Sequence, residues 1–107
     1  MPKVFIVNKS IHDFSAAKDF GKIVYLSEGM VSRYNTTQIF RQVWHYLKVS
    51  DSNDYILITG LSVINSIACT IFGLLHNRLN LLIHDNKNNT YQERKLDFSA
   101  FINNKGK

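Results

Sequence analysis

Apolar residues fall in short blocks along this chain, and their spacing differs from block to block. Val4-Phe5-Ile6-Val7, Ile23-Val24-Tyr25-Leu26, Tyr55-Ile56-Leu57-Ile58 and Leu79-Asn80-Leu81-Leu82-Ile83 are almost continuously apolar. Such runs predict strands covered on both faces, as parallel sheets require. Residues 35–49 instead repeat at helical spacing. Ile39, Phe40, Val43, Trp44 and Leu47 share one face, and Gln38, Arg41, Gln42, His45 and Lys48 the other. Asn35 followed by Thr36, Thr37 and Gln38 reads as a capping-box start to that helix.

A second helix is predicted over 62–76. Val63, Ile64, Ile67, Ala68, Ile71, Leu74 and Leu75 give it a wide apolar surface, and Asn65, Ser66, Cys69, Thr70 and Gly73 leave a small, uncharged stripe. A water-facing stripe normally carries charge, so this one is expected to be covered. Ser62 is the expected N-terminal cap, and Gly60 the residue that frees the preceding turn.

The remaining segments are shorter. Ser15 to Gly21 reads as one or two helical turns capped at each end, and Ser27-Glu28-Gly29 as a turn. A connector over 30–34 leads to the first helix, and 50–53 is a polar linker. His84 to Thr90 is a turn rich in Asn and Asp, followed by a charged edge strand from Tyr91 to Leu96. Phe98, Phe101 and Ile102 have the spacing of a final docking turn before a polar tail over about 103–107.

This alternation predicts a single α/β domain over 1–107. We expect a three-layer, Rossmann-like fold: a mainly parallel sheet in the order 2-1-3-4-5, closed by a C-terminal antiparallel edge strand. With 45% apolar and 12% aromatic residues, a disordered chain is excluded. The net charge of +5 makes anionic partners an expectation, nucleic acid among them, although the basic residues are scattered. No apolar stretch reaches membrane-spanning length, and a strand begins directly after Met-Pro-Lys without an apolar leader. The expectation is a cytoplasmic protein with no membrane partner.

Chemistry is sparse. Cys69 is a lone thiol inside a helix, and His12, His45, His76 and His84 fit no zinc spacing, so neither metal nor cofactor is expected. Neighbouring Ser10, His12 and Asp13 invite an acid–base reading, but a turn with an Asx-type aspartate outweighs it, and no catalytic residue is assigned. Phe40, Trp44 and Tyr46 are read as core aromatics rather than a stacking platform, with only Tyr46 partly exposed.

In the order 2-1-3-4-5 the chain reverses between the first and third strands, and ligands bind outside the carboxyl ends of strands at such a point. The loops meeting there supply Asn8, Lys9, Ser10 and His12 from one side and Thr59, Gly60, Ser62 and Asn65 from the other. Arg33 flanks the site on one side and His84-Asp85 on the other. The helix starting near Ser62 would aim free N–H groups at a phosphate or carboxylate. Thr-Gly-x-Ser completes neither the dinucleotide glycine fingerprint nor the P-loop.

VFIVNKS with HDFS, VYLSEG, DYILITGLSVINSIACTIF and RLNLLIHD together resemble small bacteriophage-type proteins with a Rossmann-like core, over roughly residues 3–96. The resemblance implies the fold and brings no function with it. The layout strand, Thr-Gly, helix, strand is also similar to CRISPR-associated Rossmann-fold domains, which bind cyclic oligonucleotides. Those carry a second glycine and a basic residue where Leu61 and Ser62 stand here.

The leading expectation is a non-catalytic module that holds a small anionic, nucleotide-like ligand, in a phage one that sequesters a host defence signal in the host cytoplasm. The alternative is a basic nucleic-acid-binding or virion-associated interaction protein, and the third reading is a small nucleotide hydrolase. Self-association through helix 62–76 is also expected, with helix 35–49 on the opposite sheet face. The competing account folds Phe98–Ile102 back over helix 62–76.

Overall fold

The computed structural model of the chain describes residues 1–30 and 32–103, with the backbone alone at 102–103. Val31 in the connector and the expected polar tail over 104–107 lie outside the described residues. The strands are β1 (Lys3–Ile6), β2 (Lys22–Tyr25), β3 (Tyr55–Leu57), β4 (Arg78–Asp85) and β5 (Thr90–Asp97). They form one sheet in the order β2-β1-β3-β4-β5. β1 pairs in parallel with β2 and β3, β3 pairs in parallel with β4, and β5 runs antiparallel to β4. The expected α/β sheet, its order and its antiparallel edge are all present.

A 3-10 helix (Ser15–Asp19) joins β1 to β2, α1 (Thr36–Leu47) joins β2 to β3, and α2 (Ser62–His76) joins β3 to β4. A short α3 (Ser99–Asn103) follows β5. α1 and α2 share one sheet face, where Phe5, Val7 and Ile56 pack with Ile39, Val43 and Leu47 of α1 and with Ile64, Ala68, Ile71 and Phe72 of α2. The expectation that helix 35–49 covers the other face is therefore wrong. The topology gives the reason: β2 to β3 and β3 to β4 step across the sheet in the same direction. Two right-handed crossovers in one direction place both helices on one side. Only the β1-to-β2 connection steps the other way.

That second face carries Val4, Ile6, Tyr55, Leu57, Leu82 and Tyr91, and its cover is the five-residue 3-10 helix with Ala17, flanked by Phe14 and Phe20. The two outer layers are thus unequal. Gly21, expected as a helix cap, has a different use: a Cβ there would lie 2.3 Å from the Pro2 carbonyl oxygen. Only glycine lets the end of this connection run against the start of β1, where Lys22 N–H donates to Pro2 O at 2.9 Å.

Asn35 caps α1 as expected, accepting from Gln38 N–H at 3.4 Å while its amide donates to the Gln38 side chain at 2.7 Å. The buried stripe of α1 is narrower than its pattern suggests. Ile39, Val43 and Leu47 are buried, whereas Phe40 is 50% and Trp44 40% exposed. These aromatics are not core residues, because α1 meets the sheet along a single i, i+4, i+8 line and α2 occupies one flank.

α2 departs from expectation at its start. Leu61 holds the cap position and no side chain among the described residues caps the helix, while the Ser62 carbonyl accepts from Ser66 Oγ at 2.8 Å. At the other end Asn77 closes α2 in the left-handed conformation (φ 54°), its N–H donating to Gly73 O at 2.9 Å. Phe98 N–H donates to Asn77 O at 2.9 Å, and the Phe98 ring lies beside Gly73. Phe98 docks on the end of α2, as the competing account expected, but Phe101 is 82% exposed.

The final hairpin is longer than its polarity predicts. His84 and Asp85, expected in the turn, belong to β4 and pair with Tyr91 and Thr90, which leaves Asn86–Asn89 as the turn. Asp85 Oδ1 accepts from the N–H groups of Lys87 and Asn88, and Oδ2 from the side chains of Asn88 and Gln92. The Asn88 and Gln92 amides, with these backbone donors, hold its carboxyl below the usual range.

A polar knot closes the amino-terminal end of the sheet. Buried Asp54 accepts from Lys3 N–H and Asp51 N–H, each at 2.8 Å, and buried Asn80 donates to the carbonyls of Ser52 and Asp54, also at 2.8 Å.

Candidate functional site

The carboxyl ends of β1 and β3 open into a cleft of about 610 Å³. It is lined by the loop after β1 (Asn8, Ser10, His12, Asp13, Phe14), by Leu57 to Leu61, and by His84 and Tyr91 of the hairpin. Leu57 and Tyr91 belong to the face covered by the 3-10 helix. The cleft exists because that helix is too short to cover the carboxyl half of the sheet. β4 also runs on past Leu82, its last pairing with β3, and raises a wall on β5 alone.

Each wall is held from behind. Asn8 Nδ2 donates to Gly29 O at 3.0 Å and its Oδ1 accepts from Ser27 Oγ at 2.9 Å, while Lys9 N–H donates to Ser27 O at 2.8 Å. These bonds continue the β1–β2 pairing past the sheet. Ser10 Oγ accepts from His12 N–H at 3.2 Å and Asp13 Oδ1 from Ser15 N–H at 2.9 Å, so two local turns order the loop. The Ser15 hydroxyl and N–H hold the Asp13 carboxyl below its usual range. From the helical face, Asn65 Nδ2 donates to Thr59 O at 2.7 Å and fixes the β3–α2 loop.

The predicted residues divide. Asn8, Ser10, His12, Thr59 and Gly60 line the cleft, and the loops after β1 and β3 do emerge at the same end of the sheet. Lys9, Arg33, Ser62 and Asn65 do not line it. Lys9 lies over the ring of Tyr25 at 5.9 Å. Arg33 stacks on Tyr34 and donates to its hydroxyl at 3.0 Å. Asn65 works from beneath, with its Oδ1 buried and without a partner among the described residues. Gly60 does not use the freedom expected of it, since it lies outside the positive-φ residues, and a Cβ there would meet nothing within 4 Å.

Asp13, Phe14 and Tyr91 were not assigned to the site from sequence, and His84, expected at its flank, lines it. His84 and Tyr91 face each other across the hairpin with ring centroids 5.3 Å apart, and His12 and Phe14 are 6.1 Å apart in the opposing loop. Two aromatic pairs therefore flank the cleft. Tyr91 is 8% exposed. Burial pushes this phenol up, and the charge of Asp13 adds to the effect. Their signal was available in principle, because the first residues of an antiparallel β5 must lie beside the carboxyl end of β4.

Other reactive groups are engaged elsewhere. Ser50 Oγ lies 2.8 Å from His76 Nε2, but it donates to Leu47 O at 2.6 Å, so the histidine is the donor of the pair. Burial pushes the Cys69 thiol up, away from thiolate chemistry. Among the described residues no three His, Cys, Asp or Glu gather as a metal site, and no helix is long and apolar enough to cross a membrane.

The model of a family described as "Phage Pam3 gp32-like protein" matches residues 2–98, which takes in every strand of the sheet. No curated protein and no solved structure matches the chain.

Proposed function

The chain belongs to the phage Pam3 gp32-like protein family, and from that premise we propose that it is a binding module for a small nucleotide-like anion seated in the cleft. The observation that carries this reading is the pairing of unlike walls. His12, Phe14, His84 and Tyr91 line the cleft and bring four aromatic rings within reach of a planar base. The opposite lip ends at Leu61, the cap residue of a 15-residue helix with no side-chain cap, whose first N–H groups favour a phosphate. A volume of about 610 Å³ suits a ligand of that size.

Binding without turnover is the form of the proposal. The Ser10 hydroxyl accepts from the His12 backbone, and His84 Nε2 lies 3.4 Å from Asn89 Oδ1, so each is engaged in local structure of its own loop. In a phage protein such a module would sequester a nucleotide signal in the host cytoplasm. Self-association through α2 remains part of the proposal, since Ser66 and Thr70 are exposed and Leu74 is 79% exposed. The nucleic-acid reading is less favoured because Lys18, Lys22, Arg41, Lys87 and Arg94 are spread over different elements rather than gathered on one.

Mass spectrometry of small molecules released on denaturing the purified protein tests the reading. A retained, ultraviolet-absorbing phosphorylated compound is the expected result. Gly60→Ala, whose methyl meets no protein atom, should keep the melting temperature and reduce the retained amount. An empty wild type that no nucleotide stabilises against heat refutes the proposal.

A further inference from the structure

The helical layer leaves an apolar groove on its outer side, away from the cleft. Ile39, Val43 and Leu47 of α1 pack with Ile64 and Ile71 of α2. Gln42, on the far flank of α1, donates at 3.0 Å to Leu26 O just past the edge strand β2, so Phe40 and Trp44 lie on the flank toward α2. On α2 the far flank is marked by Gly73, beside the Phe98 ring that follows β5. Ile67 and Leu74, three residues after Ile64 and Ile71, therefore border the same groove as Phe40 and Trp44. Phe40 is 50%, Trp44 40% and Leu74 79% exposed. Ser66 and Thr70 continue the outer side of α2, and each hydroxyl donates back to the carbonyl four residues earlier, at 2.8 and 2.7 Å. They leave a low ridge that a neighbouring helix can approach closely.

Charge on this layer has one sign. α2 carries no Lys, Arg, Asp or Glu, and α1 carries no Asp or Glu. Arg41 and Lys48 are exposed and stand three before and four after Trp44, so they flank its ring on the same side of α1.

We propose that this groove docks an acidic amphipathic helix of another protein, independently of any ligand in the cleft. Apolar side chains at i, i+3, i+4 and i+7 of such a helix fill the space between Trp44 and Leu74. Carboxylates on its flank meet Arg41 and Lys48. The 15 residues of α2 give a seat about 22 Å long, enough for a helix of about four turns. A second copy fits this groove less well, because its helices bring the same cations and no acid to meet them. A bilayer also fits less well, because the apolar residues line a furrow between two helices rather than a ridge that enters lipid.

Trp44 is the single tryptophan of the chain, so its fluorescence reads occupancy of the groove. The full chain is titrated with a peptide as long as α2, carrying Leu at helical spacing and Glu on the flanks. The same peptide with Lys for Glu, and phosphatidylglycerol vesicles, are the comparisons. The Glu peptide should move the emission to the blue and bind at least about fivefold more tightly than the Lys peptide, as when two exposed ion pairs replace two repulsions. The double variant Arg41→Glu, Lys48→Glu should reverse that order, and Leu74→Gln should weaken both peptides. All three positions are exposed, so melting temperatures should stay near that of wild type. Equal binding of the two peptides, or an order unchanged in the double variant, overturns the acidic partner. No change in emission with either peptide at millimolar concentration, or a larger change with the vesicles than with the Glu peptide, overturns the groove as a helix seat. A blue shift that grows with the concentration of the protein alone, with a dimer in sedimentation, gives the groove to a second copy and also overturns the proposal.

Discussion

Replacing Asn80 by alanine tests whether the polar knot at the amino-terminal end of the sheet secures the fold. Asn80 is 1% exposed, and its amide donates to the carbonyls of Ser52 and Asp54 at 2.8 Å each. Its oxygen accepts from Arg78 Nε at 3.3 Å. The side chain thereby joins β4 to the linker that carries Asp54, whose carboxylate in turn holds Lys3 N–H at the start of β1. Asn80→Ala leaves the buried Asp54 carbonyl and the half-buried Ser52 carbonyl without these donors. Each unsatisfied buried group costs about 1–3 kcal/mol, and the two together should cost about 2–4 kcal/mol once partial relaxation is allowed. In urea this is a fall in midpoint of roughly 1–2 M for an m-value of about 2 kcal/mol/M, with the slope unchanged. Asn53→Ala, exposed in the same linker, should stay within about 0.5 kcal/mol of wild type. A midpoint for Asn80→Ala within about 0.3 M of wild type would refute the reasoning, because water or local movement would then satisfy the carbonyls at no cost.

Two further outcomes are expected. Burial, with the Glu93 hydrogen bond and charge, pushes the Tyr55 phenol from its ordinary 10 up to about 12. Its stabilising contribution is therefore complete below about pH 10 and lost as the pH rises toward about 12. Wild type should lose stability over that window more steeply than Tyr55→Phe, and parallel denaturation curves for the two proteins would contradict this. Thr70 is exposed and its hydroxyl donates back to Ser66 O at 2.7 Å, so Thr70→Arg should leave the monomer fold intact. If chains pair through α2, light scattering should give a larger particle for wild type than for Thr70→Arg, and a wild type that is monomeric at high concentration ends that proposal.

The sheet was legible because its strands announce themselves. Val4 to Val7 and Tyr55 to Ile58 are apolar without alternation, and only a position between two helical or loop layers makes use of such a run. The side taken by α1 was equally legible, but only by combining two rules, since strand order and crossover hand together fix it. Reading residues 35–49 by its own amphipathic pattern could not reveal it. The hairpin was not legible from polarity. His84 and Asp85 look like turn residues, and they become strand residues because Tyr91 and Thr90 offer them partners across the hairpin. Ser62 failed as a cap for a similar reason: one residue of register separates a capping hydroxyl from one already inside the helix, and Leu61 took the outer place.

The same one-step extension explains why the hairpin wall of the cleft was placed only at its flank. The switch-point rule concerns parallel strands, so it names the loops after β1 and β3 and leaves His84 at the flank. β5 is antiparallel, and its amino end therefore rises on the side where the parallel strands finish. A hairpin with a turn at Asp85 would close below the rim. Two more residues of pairing carry His84 and Tyr91 above it and give the cleft its second aromatic wall. The 3-10 helix contributes by its shortness, since a full-length crossover helix on that face would occupy the space now bounded by Phe14 and Tyr91. The cleft thus follows from two departures from an even three-layer fold, one connection too short to cover its face and one hairpin too long to end with the sheet. Both departures fall at the same corner, beside the carboxyl ends of β1 and β3, and that coincidence is the strongest structural reason to look for a ligand there.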